Sequence, residues 1–292
     1  SDMNELRTEQ GFYETFGAPE APKDARDYKA KIAVKKEYPE SFDLFDSMGI
    51  KVKNQMVTGS CVAHAISTVI EYFHKKQEHM NAEMSTGYIY GNRDYTTWLG
   101  EGMYTRDALK TVCKCGDAFW DDMPNNLEVP DAIETYNKRN TDIDKSAYHN
   151  RLSTYYKLSD TDSMKEQLFT IGAPIVIAVD WHPYTIDKDG VLRWKEGSKT
   201  TGGHCMVIRG WNESGWIVQN SWGKYWGKGG LCVIPYGIKL REIWGVSDNV
   251  IGETGDLVVK PANKFIKMFY KVINLFWQVV YAFKKLKNKK HG

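Results

Sequence analysis

A cysteine stands at the predicted start of a helix, where its thiol can act as a nucleophile. From Ser60 to about Gln77 the apolar residues follow helical spacing, which predicts a mostly buried helix with Cys61 in its first turn. The helix dipole and the free amides of that turn favour a thiolate, so we expect the thiol pKa to fall below its ordinary value of about 8.5. A cysteine in a helix can also simply pack in the core. Its neighbours in the chain therefore matter.

Four further residues have the types and positions that acyl transfer requires. Gln55 lies six residues before Cys61, and its side-chain amide could join the Cys61 backbone N–H in donating to a developing oxyanion. His204 precedes one predicted strand, and Asn220 follows the next strand sixteen residues later. Adjacent antiparallel strands could place the Asn220 amide against the His204 ring, with Trp222 covering that hydrogen bond. A thiolate–imidazolium pair of this kind is nucleophilic at neutral pH.

These residues lie within motifs that resemble those of the papain-like cysteine peptidases. The similar segments are Val52-Lys53-Asn54-Gln55, Gly59-Ser60-Cys61, Gly203-His204 and the run 220–230, NSWGKYWGKGG. That run, with a histidine sixteen residues before it, is the most specific of the four. Phe42-Asp43-Leu44 also looks like the start of the family's mature domain. The resemblance covers about residues 38–250 and is weakest between about 120 and 160.

The resemblance implies hydrolysis of peptide bonds in a polypeptide substrate, without a cofactor. In that chemistry Cys61 attacks the scissile carbonyl to form a thioester acyl-enzyme, while Gln55 and the Cys61 amide stabilise the oxyanion. His204, oriented by Asn220, protonates the leaving amine and then activates water.

The same resemblance assigns three substrate-binding residues. Gly102 stands where the family has a glycine pair whose backbone binds extended substrate. Cys205, next to the histidine, is expected to face the pocket for the second residue upstream of the cut. Trp222 is the third.

Three positions depart from the family pattern. Thr58 stands where the family usually has a cysteine, so that disulfide is absent, and Val62 replaces the usual aromatic residue after the nucleophile. His64 occupies a position where an aromatic residue is common. Because it falls one turn beyond Cys61 on the same helical face, His64 either touches the site or, as we favour, is a hydrogen-bonded core residue. These changes remove no catalytic group, but they leave specificity and compartment open.

The distribution of predicted elements indicates a fold of the α+β class. The first half is helical, and two shorter helices are predicted over Asp107–Val112 and Ser163–Ile171. The second half contains short β-rich runs at 174–179, 205–208, 215–218 and 231–234. We therefore expect a papain-like two-lobe fold, in which a helical lobe carries Cys61 and a β-barrel-like lobe carries His204 and Asn220, with the cleft between them.

Composition divides the chain into three parts. Residues 1–37 form an N-terminal extension, either a short pro-segment that partly occludes the cleft or a passive addition, with Phe12, Tyr13 and Phe16 as candidate anchors. Residues 38–258 form the peptidase domain, and residues 259–292 form a basic C-terminal helix.

The C-terminal part separates charge along the chain. No acidic residue follows Asp256, whereas nine lysines lie between Lys260 and Lys290. The other 30 basic residues face 37 acidic ones, so residues 1–259 carry a net charge of −7. Within 263–287 apolar residues recur at intervals of four and three, which predicts an amphipathic helix interrupted by too many lysines for a simple transmembrane span. It could pack on the acidic body, self-associate or lie on an anionic membrane.

The five cysteines show no disulfide framework, and residues 1–40 show no signal-peptide pattern. We expect either a reducing, cytoplasmic compartment or a secreted or virion-associated protein that does not depend on disulfides. Cys113 and Cys115 lack a second pair with metal-ligand spacing, so no metal site is predicted. The aromatic cluster Tyr88, Tyr90, Tyr95 and Trp98 has no interleaved basic residues, so we predict lobe packing and no nucleic-acid binding.

Three classes of function follow, with a cysteine endopeptidase as the leading one. The second is a related acyl-transfer enzyme that acts on peptidoglycan peptides. The third is a catalytically silent binding or membrane-targeting protein on the same scaffold, in which the basic tail would be the working part.

Overall fold

The computed structural model describes residues 13–25, 27–29, 37–93, 101–124 and 140–248. The predicted C-terminal helix lies outside these residues, as do Phe12, Tyr95 and Trp98.

Five helices occur in the described part of the chain. They are Cys61–Glu78 (α1), Thr86–Gly91 (α2), Thr105–Cys115 (α3), Thr141–Tyr148 (α4) and Thr161–Phe169 (α5). α1, α3 and α5 confirm the helices that apolar spacing predicts. α2 and α4 are too short for such a periodicity and begin at side-chain caps, where Ser85 accepts from the Tyr88 amide and Asn140 accepts from two amides. None of these helices is both long and apolar enough to cross a membrane.

Nine strands are described. They are Phe42–Asp43 (β1), Thr154–Lys157 (β2), Ile175–Trp181 (β3), Tyr184–Ile186 (β4), Leu192–Trp194 (β5), Gly202–Asn212 (β6), Gly215–Gln219 (β7), Leu231–Pro235 (β8) and Glu242–Ser247 (β9). Seven of them form an antiparallel sheet in the order β2-β9-β3-β6-β7-β8, with β1 also paired to β6. β4 and β5 form a separate hairpin. All four predicted β-runs are therefore confirmed.

The sheet separates two hydrophobic cores. Along β3, Val176 and Ala178 belong to the core that contains α1, whereas Ile175 and Ile177 belong to the core on the opposite face. This alternation follows from the two-residue period of a strand. Because both faces of β3 are covered, its sequence is a nearly continuous run of apolar residues. The helical lobe packs on one face of the sheet, and the predicted α+β two-lobe fold is confirmed.

One buried carboxyl group in the helical lobe has no good partner. Asp117 follows α3, is fully buried, and neither of its carboxylate oxygens meets a side-chain hydrogen-bond partner among the described residues. Burial holds the pKa of Asp117 well above its usual range, the nearby Lys53 opposes this shift and Glu71 adds to it. The folded state therefore favours the protonated acid.

We expect Asp117→Asn to stabilise the protein at alkaline pH. The pKa of Asp117 is higher in the folded state than the unfolded value of about 3.9, so the protonated acid favours folding at pH values below the unfolded pKa. This stabilisation is lost as pH rises through the folded-state pKa, because the buried carboxyl must then ionise. The variant should match the parent near pH 4 and exceed its free energy of unfolding by about 1–3 kcal/mol at pH 8. Urea unfolding at both pH values measures the difference. Asp121→Asn, at an exposed carboxyl, is the control, and an equal effect at both pH values would contradict the prediction.

Candidate active site

Cys61 is the first residue of α1 and is fully buried. Ser60 precedes it at the helix N-cap, but the Ser60 side chain makes no capping hydrogen bond to the helix. Burial raises the pKa of Cys61 to about 11, and backbone hydrogen bonds, chiefly those of Cys205 and Gly17, only partly oppose the shift. The expected lowering of this pKa is therefore wrong for the buried thiol. Desolvation of the thiolate raises the pKa by more than the helix N-terminus lowers it.

His204 and Asn220 meet as their spacing predicts. His204 lies on β6 and Asn220 just after β7, and His204 Nε2 lies 2.7 Å from Asn220 Oδ1. Because that oxygen only accepts, Nε2 carries the proton, and Nδ1 is left to exchange protons. Nδ1 has no hydrogen-bond partner among the described residues. Burial lowers the pKa of His204 to about 4, and the bond to Asn220 opposes that shift.

Trp222 covers this pair. Its ring stacks on the His204 ring, with centroids 4.5 Å apart and an interplanar angle of 29°. Trp181, at the end of β3, meets the same imidazole edge-on at 5.3 Å. The indoles exclude water from the His204–Asn220 hydrogen bond, so that bond is stronger than it would be in solvent.

Gln55 is held by the segment that carries Asn220. Its backbone N–H donates to Ser221 O at 2.8 Å, and the Ser221 hydroxyl donates to Gln55 Oε1 at 2.7 Å. With Oε1 occupied, the side-chain Nε2 points its hydrogens at Thr58 O (2.9 Å) and Thr15 O (3.2 Å). The pairing continues one residue earlier, where Asn54 bridges to Trp222. Although Gln55 and Ser221 are 166 positions apart, backbone pairing brings them together.

Residues 13–18, hereafter the cleft segment, lie across these groups. The Thr15 carbonyl accepts from Gln55 Nε2 and from Trp222 Nε1, each at 3.2 Å. The Phe16 ring meets the edge of the His204 ring with centroids 6.0 Å apart. The Gly17 and Ala18 amides both donate to Gly203 O, at 3.1 and 3.0 Å. The carbonyl of the segment thus occupies the donor that the sequence assigned to an oxyanion.

Gly17 of the cleft segment passes so close to Gly59 and Gly102 that there is no room for a side chain at Gly17 or at Gly102. A Cβ built on Gly17 would overlap the carbonyl of Gly59, and a Cβ built on Gly102 would overlap the carbonyl of Gly17. Gly102 also has a φ of +95°, which favours glycine. The neighbouring Met103 amide donates to Gly17 O at 2.9 Å. Gly102 therefore lies against the backbone of the chain's own cleft segment, and its expected contact with a substrate stays a prediction.

Two other residues singled out in the sequence lie in the core. Cys205 is fully buried in the same hydrophobic core as Cys61, and burial holds the pKa of its thiol well above the usual range. Its expected place in a substrate pocket stays a prediction. His64 is also buried and hydrogen-bonded to Ser60, as expected of a core residue.

Sequence reasoning missed the contacts of Thr15 and Ser221. Ser221 stands inside the quoted motif, but its contact with Gln55 follows from the pairing of remote segments. Among the described residues, no group of three or more His, Cys, Asp or Glu is placed to hold a metal. The five cysteines, all described, are free thiols.

A thiol at a helix start, a histidine–asparagine pair on the sheet and a glutamine held by the segment that carries the asparagine are the groups of a cysteine peptidase. The model of the papain family cysteine proteases matches residues 38–252, and the chain belongs to this family. The predicted class, a cysteine endopeptidase and hence a hydrolase, is confirmed by this membership, and the two alternative classes are not favoured.

Individual relatives agree with this assignment. An uncharacterized peptidase C1-like protein of Acanthamoeba polyphaga mimivirus is 29% identical over 223 residues, which are 70% of this chain and 71% of that protein. Human cathepsin O is 25% identical over 73% of this chain and 65% of its own length. The structure of xylellain, a cysteine protease from Xylella fastidiosa, covers 80% of this chain and 95% of its own at a TM-score of 0.66 and 20% identity, which supports the fold.

Proposed function

We propose that the chain hydrolyses internal peptide bonds with Cys61 as nucleophile, His204 as general base and acid, Asn220 as the residue that orients it, and Gln55 as an oxyanion donor. The observation that carries this assignment is the 2.7 Å bond from His204 Nε2 to Asn220 Oδ1 under the Trp222 ring. It leaves Nδ1 as the nitrogen that can take and return a proton.

The chemical steps follow from these positions. The Cys61 thiol first gives its proton to His204 Nδ1. The resulting thiolate attacks the scissile carbonyl carbon, and the C=O electron pair moves to oxygen, where Gln55 Nε2 and the Cys61 N–H stabilise it. As the tetrahedral species collapses, His204 Nδ1–H protonates the departing amine and a thioester remains. A water molecule then loses a proton to Nδ1, attacks the thioester and releases the acid and the thiol. Asn220 keeps the imidazole in one tautomer throughout.

An irreversible thiol-directed peptide inhibitor tests the assignment of the nucleophile. In the Gly17→Ala chain, we expect peptide mapping by mass spectrometry to find the label on Cys61 alone among the five cysteines, because this thiol opens α1 at the position where the family motif has its nucleophile. Prior alkylation with iodoacetamide should block the label. Labelling of another cysteine, or no labelling of a Gly17→Ala variant whose cleft segment is displaced, would contradict the assignment.

We propose that the cleft segment inhibits the enzyme in the intact chain. Thr15, Gly17 and Ala18 are nearly fully buried, and the Thr15 carbonyl takes the Gln55 amide that a substrate needs. The segment also removes water from Cys61 and His204, and this favours a neutral thiol and a neutral imidazole over the ion pair. Residues 1–37 would then act as a short pro-segment, followed by the peptidase domain at 38–258.

For residues 259–292 the proposal rests on sequence alone. A basic amphipathic helix at 263–287 joined to a body of net charge −7 favours packing on that body or self-association over binding to an anionic membrane. Co-sedimentation with anionic vesicles at low and high salt separates membrane binding from the other two uses, and sedimentation velocity separates those from each other.

A further inference from the structure

A chain of buried hydrogen bonds closes the loop between Gln55 and Cys61. The Thr58 hydroxyl donates to Gln55 O at 2.6 Å, and Thr58 Oγ1 lies 2.5 Å from Ser60 Oγ. Ser60 Oγ in turn lies 3.1 Å from His64 Nδ1, which is also 2.9 Å from Ser60 O. These residues are at most 3% exposed. We refer to Thr58, Ser60 and His64 as the loop-closing triad.

The number of available protons determines which atom donates in each hydrogen bond of the triad. The single proton of Thr58 is used on Gln55 O, which can only accept, so the Ser60 hydroxyl must donate to Thr58 Oγ1. Ser60 Oγ then accepts, and the donor within reach is His64 Nδ1–H, which Ser60 Oγ at 3.1 Å shares with Ser60 O at 2.9 Å. The order of donation is therefore His64 to Ser60 to Thr58 to Gln55. Each hydroxyl donates once and accepts once, so each bond polarises the next.

The charge state of His64 is consistent with this order. Burial lowers the pKa of His64 to about 3, the backbone contacts of Ser60 and Asn54 oppose the shift, and the nearby Lys53 adds to it. The imidazole is thus neutral at neutral pH, with one N–H, and the two Ser60 oxygens that face Nδ1 favour the proton on that nitrogen.

The triad joins the two groups that would bind an oxyanion. One end is the carbonyl of Gln55, whose side-chain amide is the first donor. The other end is His64, in the first turn of α1, whose opening residue Cys61 supplies the second donor. The triad also explains why Ser60 does not cap the helix, because its hydroxyl is used on Thr58 and His64. The first amides of α1 are therefore left free of this side chain.

We propose that His64 is a positioning residue that acts through Ser60 and Thr58 to hold the Gln55 amide and the Cys61 N–H at the separation an oxyanion requires. This role rests on the proposed function of Gln55 and Cys61. The positioning role of His64 affects only the reaction steps that create a negatively charged oxygen. Direct alkylation of the thiol creates none, so it does not depend on the triad.

Thr58→Val and His64→Phe test the proposal in the full-length Gly17→Ala chain, whose cleft segment is displaced and which is the parent for this comparison. Each keeps the shape of the side chain and removes one hydrogen-bonding group. We expect kcat for a peptide substrate, per active site titrated with an irreversible inhibitor, to fall about ten- to a hundredfold, with little change in KM. The rate of Cys61 alkylation by iodoacetamide should stay within about twofold of the parent. The double variant should lose no more than the worse single variant, because both break the same chain of bonds.

Matched variants restore the bonds. Thr58→Ser keeps the hydroxyl, and His64→Asn places an amide N–H near the position of Nδ1, so both should retain most of the parent kcat. An unchanged kcat in Thr58→Val overturns the proposal, as does an equal fall in hydrolysis and alkylation, which would indicate a general loss of structure. If His64→Phe does not fold, the comparison of Thr58→Val with Thr58→Ser tests the proposal by itself. Activity of the parent that is lost in Cys61→Ala tests the underlying function separately.

Discussion

Replacement of Cys61 by alanine is expected to abolish peptide hydrolysis, with kcat falling by about 10⁴-fold or more. The variant retains the Gln55 amide and the His204–Asn220 pair, but no thiol can form the acyl-enzyme. Initial rates on a fluorogenic peptide, measured in the full-length chain and in the Gly17→Ala chain, give the ratio of kcat values. Because the side chain is replaced by a smaller one in the core, thermal unfolding should be recorded alongside.

The matched control is Cys115→Ala. Cys115 is a partly exposed free thiol at the end of α3, outside the cluster of Gln55, Cys61 and His204. The kcat of Cys115→Ala should equal that of the parent. Comparable losses in both variants, or substantial hydrolysis by Cys61→Ala, would contradict the assignment of the nucleophile.

Release of the cleft segment is expected to raise the activity of the full-length chain about a hundredfold. The segment is held by three backbone hydrogen bonds, from Gly17 and Ala18 to Gly203 and from Met103 to Gly17, each with a net value of about 1 kcal/mol. Gly17→Ala should displace it, since a Cβ there overlaps the backbone carbonyl of Gly59, which cannot move aside as a side chain could. The measurement is kcat/KM on a short peptide.

The variant Glu20→Ala is the control for Gly17→Ala. Glu20 lies two residues beyond the cleft segment and is exposed, so its kcat/KM should match the parent. Deletion of residues 1–37 should also activate the enzyme, but it removes Asp27, whose carboxylate pairs with Arg106 and Lys157. The point variant leaves these ion pairs in place and is the sharper test. Equal activity of Gly17→Ala and the parent would show that the segment does not inhibit.

The same release should change how the thiol responds to pH. With the segment in place, a Cys61 pKa of about 11 and a His204 pKa of about 4 keep both groups neutral across the range between these values. Water admitted by Gly17→Ala stabilises both charged forms, so the thiol pKa should fall and the imidazole pKa should rise. Alkylation by iodoacetamide should then become fast at neutral pH in the variant, whereas in the parent it should accelerate only toward alkaline pH.

The sequence alone was sufficient for the elements whose signal is local. The apolar spacing after Ser60 predicts α1 to within a residue at each end, and the apolar runs predict β3, β6, β7 and β8. Residue types and spacing also predict catalytic roles for Cys61, Gln55, His204 and Asn220, because the chemistry restricts which side chains can serve. The predictions of α1 and of these four strands succeed because burial on one face of a helix, or on both faces of a central strand, determines the order of apolar and polar residues.

Only the tertiary structure decided which groups face one another across the cleft. Thr15 meets Gln55 forty positions away and Trp222 207 positions away, and no periodicity records such pairings. The direction of the Cys61 pKa shift depends on the same packing. A helix N-terminus by itself favours the thiolate, but a covering peptide removes the water that would solvate it, and the cost of desolvation is larger. The sequence thus predicts which groups react, and the packing of remote segments determines whether those groups are charged or neutral.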